Sequence, residues 1–346
     1  MPKYARKATF VIAVLTFAIA CGGSQYDDIR GQTMGTYFAV QVAPTDDCQV
    51  QRVDLERLLQ EINEAMSTYQ ADSELSLLNS NPSPEPITVS SSLDEVLLAA
   101  REMWRISAGA FDVTVGPLVN LWGFGATQVV GAPTAAEQHA ASARVGMDKL
   151  VLGNGQVTKL TPDVYVDLSA LAKGYGVDRL AALLDVLGCR DYMVDIGGEI
   201  RVAGHNPNGK AWRVGVEAPS LQQVGTIRTV LEISDVAIAT SGDYRNYRVI
   251  DGARVDHIID PRTRAPATSN VISATVIHPS AMWADAYATT LMVLDAQTAL
   301  SFADAESIAA YVIYGEYSPD GAEDKTQAVY NTAMRAYLPE LSKEPL

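Results

Sequence analysis

The sequence predicts an α+β fold: one domain, with a two-lobed arrangement left open, built from mixed and antiparallel sheets with flanking helices. Three observations point there. Strand-like segments at 192–195, 199–203, 211–217, 228–233 and 236–240 follow one another with no helical pattern between them. Asn154-Gly155 and Asp251-Gly252 are hairpin signals. Helical periodicity is confined to blocks before and after the strand run, whereas a doubly wound α/β chain would alternate the two.

At 346 residues the chain can bury a substantial core, and 48% apolar with 19% charged residues is a globular composition. A formal charge of -15 excludes a general nucleic-acid binder, because no basic surface would neutralise phosphates. A small anionic ligand held through a metal ion remains compatible with that charge.

Taken in order, the elements begin with an address. Lys3, Arg6 and Lys7 precede an apolar run at 10–20, which suits an export signal and is too short to span a membrane. Ala18-Ile19-Ala20-Cys21 resembles a bacterial lipoprotein box, with Ala18 where such boxes usually carry Leu. Residues 1–20 are therefore expected to be a lipoprotein signal peptide, 21–30 a tether, and 31–340 the domain. Lipid on Cys21 would anchor the mature chain outside the cytoplasm, to a bacterial inner or outer membrane. Ordinary secretion with cleavage near Ala20 is the plainer alternative. Cys48 and Cys189 lie far apart without a CxxC pattern, so neither reads as a redox or zinc site. Both are read as structural; a bond between them is one option that nothing in the spacing supports.

Thr36-Tyr-Phe-Ala-Val-Gln-Val42 reads as a strand, and Leu55, Leu58, Leu59, Ile62 and Met66 as one face of a helix. Ser92-Leu-Asp-Glu95 and Thr134-Ala-Ala-Glu137 are capping boxes that open two more helices. Residues 149–160 form a hairpin about Asn154-Gly155, and a strand ending near Asp167 feeds a helix starting near Ser169. After the strand run, a strand at 271–277 precedes helices over about 281–294 and 297–309, and strands close the chain.

Five segments carry candidate chemistry. In Asp167-Leu-Ser-Ala-Leu-Ala-Lys-Gly174 a carboxylate stands before a helix whose first amides favour anions, and Lys173 could reach a phosphate. A merely capped helix would look the same, and no P-loop pattern is present. Asp195-Ile-Gly-Gly-Glu199 joins two strands through glycines that allow a tight turn or the close approach of a ligand. Ala239-Thr-Ser-Gly-Asp-Tyr244 is either a substrate-facing hydroxylated loop or an Asx-type turn. His257-Ile-Ile-Asp-Pro261 holds the one histidine, among His139, His205, His257 and His278, set in a strand-to-turn segment rich in other candidates. In Ala284-Asp-Ala-Tyr-Ala-Thr289, Asp285 and Thr289 share a helix face and would suit Mg²⁺, which often takes few protein ligands. A surface Asp with an inward Thr is the alternative there.

Together, in this order, these segments resemble the ApbE family, the FAD:protein FMN transferases. The resemblance also takes in Met34-Gly35-Thr36, Ser67-Thr-Tyr69, Ser73-Glu-Leu75, Asn79, Gly109-Ala-Phe-Asp112 and Val115-Gly-Pro117. It implies a T-fold-like α+β domain and a Mg²⁺-dependent reaction with FAD as substrate. FAD would be split to AMP, and FMN joined through its phosphate to a Thr or Ser of an extracytoplasmic flavoprotein. Acceptors would resemble the flavinylated subunits of Nqr and Rnf complexes. By the same resemblance, Met34, Tyr69, Ala110, Phe111, Asp112, Asp167, Lys173 and Ile259 line the FAD site. Ala170 (through its carbonyl), Asp285 and Thr289 hold Mg²⁺, and His257 is the candidate base, with Asp243 a second candidate near the acceptor. Two departures stand out. Arg264 replaces a glycine of the family's Asp-Pro-x-Thr-Gly segment, so the local turn is expected to differ. Ala288 stands where some relatives carry an acidic residue, which bears on a second Mg²⁺. An FAD pyrophosphatase and a non-enzymatic flavin-binding lipoprotein are the competing readings.

Overall fold

A computed structural model describes residues 26–124, 131–219, 225–243, 247–250, 253–316 and 325–339. The export segment, Cys21, Tyr244 and the Asp251-Gly252 turn lie outside the described residues. The chain begins with the hairpin β1 (Asp27–Thr33) and β2 (Thr36–Val42), turned at Met34 and Gly35, both at positive φ. Strand β1 thus starts inside the segment read as a tether. Helices α1 (Arg52–Met66) and α2 (Glu74–Ser80), the short β3 (Ile87–Thr88), and helices α3 (Ser91–Ile106), α4 (Gly116–Leu121) and α5 (Ala135–Ser142) follow. The expected hairpin forms as β4 (Leu150–Gly153) and β5 (Gln156–Lys159), with β3 added on the other side of β5.

Helix α6 (Ala172–Val186) leads into the strand run: β6 (Tyr192–Ile196), β7 (Glu199–Ala203), β8 (Trp212–Glu217), β9 (Ile227–Ile233) and β10 (Ala237–Gly242). Two short hairpins come next, β11 (Tyr247–Ile250) with β12 (Ala253–Asp256), and β13 (Ile259–Asp260) with β14 (Ala265–Pro266). The chain ends with β15 (Val271–His278), α7 (Ala281–Val293), α8 (Ala296–Ala305), β16 (Ala309–Glu316) and β17 (Lys325–Tyr330). Eight strands make one sheet, ordered β1-β2-β6-β7-β10-β15-β16-β17, with every pairing antiparallel. Helices and antiparallel sheets are combined without the parallel alternation of a doubly wound fold, and the α+β reading holds.

The sheet is covered on both faces. The β8–β9 hairpin packs Trp212, Leu231 and Ile233 against Ile238, Ile277, Tyr311 and Ile313. On the other face, Ala239, Ala274 and Val276 join a core with Ala284, Ala288 and Leu291 of α7. Small residues on strand and helix allow α7 to lie close to the sheet. Helix α7 is apolar nearly all round, the pattern of a helix buried within a core. Its start is fixed by Asp178 of α6, whose carboxylate accepts from the Ala281 and Met282 amides and the Ser280 hydroxyl. Arg201 donates to the same carboxylate at 2.8 Å. At Gly174 the two helices touch so closely that a Cβ would stand 2.3 Å from the Ala281 carbonyl oxygen.

Several local expectations change. Helix α3 is capped by Ser90, not Ser92: the Leu93 amide donates to Ser90 Oγ, while Glu74 takes the Ser90 amide and hydroxyl. The Thr134–Glu137 capping box forms as read. The stretch before Asp167 is extended but joins no strand ladder, and α6 starts at Ala172, not near Ser169. Helix α8 ends at Ala305, with β16 starting at Ala309. Thr240, Ser241 and Gly242 belong to β10 itself. Cys48 and Cys189 form a disulfide across 141 residues, joining the loop after β2 to the loop before β6. Arg264 lies in the left-handed region that favours glycine, with φ 61° and its amide donating to Asp260 O. That conformation costs a non-glycine residue about 1 kcal/mol. Among the described residues, no helix is long and apolar enough to cross a membrane.

The α6–α7 contact yields a direct test. Gly174→Ala pushes a methyl group into backbone that cannot retreat, and it is expected to destabilise the protein by about 2–3 kcal/mol. Thermal and urea denaturation would read the loss.

Candidate active site

A cavity of about 380 Å³ opens where six parts of the chain converge. These are the 110–119 segment, the turn from Asp167 into α6, the first residue of β7, the end of β10, and the 257–261 strap, with α7 contributing Asp285 and Thr289. A smaller hollow of about 160 Å³, walled by Met34, Met66, Thr68, Tyr69 and Ala172, shares Ser169 and Lys173 with it. The two together form one elongated recess.

The recess is held in place by polar contacts that no single element supplies. Lys159 is buried and its ammonium donates to the Leu78 and Asn79 carbonyls at the end of α2. Asn79 then pairs with Val166 in both directions: its Nδ2 donates to Val166 O at 2.8 Å, and the Val166 amide donates to Asn79 Oδ1 at 2.7 Å. One side chain thereby does the work of a strand partner. The next amide, of Asp167, donates to Val113 O, tying this stretch to the 110–116 loop. Asp167 Oδ1 accepts from the Ser169 amide and hydroxyl, which shapes the turn that carries Ala170. Ser73 and Ser76 donate to Ser67 O and brace the loop that presents Tyr69, an aromatic ring 88% exposed at the hollow's edge.

Charge is concentrated where the two hollows meet. Lys173 Nζ lies 2.7 Å from Glu199 Oε2 and 3.8 Å from Asp285 Oδ2. Both carboxylates are almost wholly buried. Burial, reinforced by the charge of Asp285, pushes the Glu199 carboxyl up to about 8, against the opposing pull of Lys173. Burial likewise raises Asp285, with Lys173 and the Gly174 amide working the other way. Burial disfavours the Lys173 ammonium, but Asp285 and Glu199 outweigh it and hold its pKa above the ordinary lysine range. A carboxylate on an apolar, buried helix is costly to fold around and marks a working site.

Ten of the residues singled out in the sequence line the main cavity: Ala110, Phe111, Asp112, Asp167, Ala170, Lys173, His257, Ile259, Asp285 and Thr289. Met34 and Tyr69 line the adjoining hollow. Asp243 lines neither: it is buried just past β10, where Arg254 donates to its carbonyl. Asp112 is turned inward, accepting from the Thr114 amide and hydroxyl and the Met147 amide, and burial raises its pKa. His257 faces the cavity with Phe124 edge-on, 6.3 Å between ring centres. Two further participants read in the sequence only as members of candidate segments, with no role of their own. Glu199 closes the Gly-Gly segment, and Ser241 lies 3.3 Å from the Thr289 hydroxyl. Ala288, by contrast, is packed in the core.

The Ala170 carbonyl, the Asp285 carboxylate and the Thr289 hydroxyl are all hard oxygen donors, which suit Mg²⁺. Glu199 Oε2 is buried and its one close polar neighbour is the Lys173 ammonium, without a hydrogen bond of good geometry. Among the described residues no group of three His, Cys, Asp or Glu side chains makes a self-sufficient metal cage. The set fits an ion that completes its shell with water and substrate oxygens.

The family model for ApbE matches residues 34–312, which include the whole of this site. The chain belongs to the ApbE family. It is 44% identical over 291 residues to the FAD:protein FMN transferase of Vibrio cholerae, covering 82% of this chain and 86% of that one. The FAD:protein FMN transferase of Haemophilus influenzae is 38% identical over 313 residues, with 88% and 90% covered. Among solved structures, the flavin transferase ApbE from Vibrio cholerae superposes with TM-score 0.83 at 39% identity, over 91% of this chain and 99% of that one. The apo flavinyl transferase ApbE of Pseudomonas stutzeri gives 0.82 at 30% identity, over 93% and 98%.

The Asn79 bracket makes the site sensitive to a residue that never enters it. Asn79→Ala strands two buried backbone groups and is expected to cost about 2–3 kcal/mol in stability. Hydrogen exchange at the Val166 amide should speed up, and FAD affinity should fall through the loosened Asp167 turn.

Proposed function

We infer that this ApbE-family chain is an enzyme, an FAD:protein FMN transferase. The observation that carries this reading is one cavity containing a buried carboxylate and hydroxyl on α7, a lysine beside them, and His257 on the 257–261 strap. The recess has room in its smaller hollow for a flat ring against exposed Tyr69 and, where that hollow joins the main cavity, a charged cluster for a pyrophosphate. Its likeness to enzymes named for this reaction supports the same assignment.

The roles follow from position. The Lys173 ammonium offsets phosphate charge. His257 takes the proton from the acceptor Thr or Ser hydroxyl as its oxygen attacks the FMN-side phosphorus, and the bond from that phosphorus to the AMP oxygen breaks. Ala170, Asp285 and Thr289 would hold Mg²⁺, which supplies Lewis-acid stabilisation of pyrophosphate and leaving AMP. Acceptors would be extracytoplasmic flavoproteins resembling Nqr and Rnf subunits. The lipoprotein-type leader supports that compartment, and so does the Cys48–Cys189 disulfide, since such bonds persist in oxidising surroundings.

Two outcomes test this. Incubated with FAD, Mg²⁺ and an acceptor bearing a Ser/Thr flavinylation site, the protein should add one FMN-sized mass per AMP released. EDTA and Asp285→Ala should abolish labelling, and His257→Ala should slow it by about 10²–10⁴-fold while leaving FAD binding intact. AMP without labelled acceptor would instead indicate a pyrophosphatase. Separately, reducing the disulfide should lower stability by about 2–4 kcal/mol, seen as a lower urea midpoint with dithiothreitol.

A further inference from the structure

Lys173 stands between two carboxylates and sits tight against only one. It is 2.7 Å from Glu199 and 3.8 Å from Asp285. The two acids are anchored differently from the lysine. Glu199 is the first residue of β7, paired across the hairpin with Ile196. The turn before it is tight: Gly197 and Gly198 both have positive φ, and the Gly198 amide donates to Asp195 Oδ1. Asp285 is fixed by the packing of α7 between α6 and the sheet. Lys173 reaches into the cavity from the first turn of α6 on a flexible four-carbon stem. Its head group can therefore shift where the acids cannot.

The Asp285 oxygen nearest Lys173 takes a long 3.4 Å contact from the Gly174 amide, so it has capacity for a closer cation. Moving the ammonium by roughly 1 Å would give it a charge-assisted bond of ordinary length to that oxygen. What holds it back is the nearer carboxylate. We propose that Glu199 is a positioning residue: it holds the Lys173 ammonium off Asp285, leaving that carboxylate open to a divalent cation. Without it, the protein's own lysine would compete for the metal ligand. The proposal rests on reading Asp285 as a cation ligand.

The test is a double-mutant cycle read by calorimetric titration of the full chain with MgCl₂ alone. Glu199→Gln is expected to weaken Mg²⁺ binding about tenfold in the wild-type background, and less than about threefold when Lys173 is replaced by methionine. Lys173→Met by itself should bind Mg²⁺ at least as tightly as wild type, a comparison that stands even where Glu199→Gln does not fold. Equal weakening in both backgrounds would overturn the proposal, because Glu199 would then act on the cation by its own charge. No weakening in either background, or weaker binding by Lys173→Met, would overturn it too. Mg²⁺ binding untouched by Asp285→Ala would remove the cation reading of Asp285, and the proposal with it.

Discussion

The site depends on how closely α6 can approach the start of α7. With only a hydrogen at Gly174, the first turn of α6 rests on the Ala281 carbonyl, and Lys173 arrives within reach of Asp285. Four residues on, Asp178 caps α7 from the same helix. One helix thus sets both the position of α7 and the charge that meets it. The alanines of β10, β15 and α7 serve the same end, since a larger side chain at any of them would lift α7 from the sheet.

This packing explains how an acidic protein can handle an acidic substrate. The cavity sets three acids, Glu199, Asp285 and Asp167, around a single lysine, and a pyrophosphate brings further negative charge to it. A divalent cation held there, as proposed, would reverse the sign locally. The buried carboxylates would then become an asset, because low-dielectric surroundings strengthen their hold on such an ion. The cost of burying them is borne by a well-packed core.

Much of this was legible in the chain. The strand run, the 150–159 hairpin, α1, α7 and the α+β class follow from periodicity and turn chemistry, which are local. What was not legible depends on distant partners. The Asp167 stretch reads as a strand, but its partner is the Asn79 side chain, 87 residues earlier, and no local pattern encodes that. Ser92, with Glu95 three residues on, is the cap the local pattern offers, and distant Glu74 secures Ser90 instead. Glu199 looked like the end of a turn until the sheet order placed it against Lys173. The site residues came from ordered motifs, and the structure gathers all but Asp243 around one recess. Arg264 shows the opposite case: the surrounding hairpin imposes a glycine conformation on a residue that resists it.

The disulfide has a consequence for how the chain reaches this state. Cys48 lies six residues beyond the end of β2 and Cys189 three before β6, and Val42 pairs with Tyr192 in the ladder between those strands. Covalent bond and ladder therefore close the same large loop. The entropy of bringing those ends together is lost once, and the second closure becomes nearly local. In the oxidised chain the most sequence-distant joint of the β1–β6 region behaves as a short-range contact, and contact order falls for the very pairing that seats the N-terminal hairpin on the sheet.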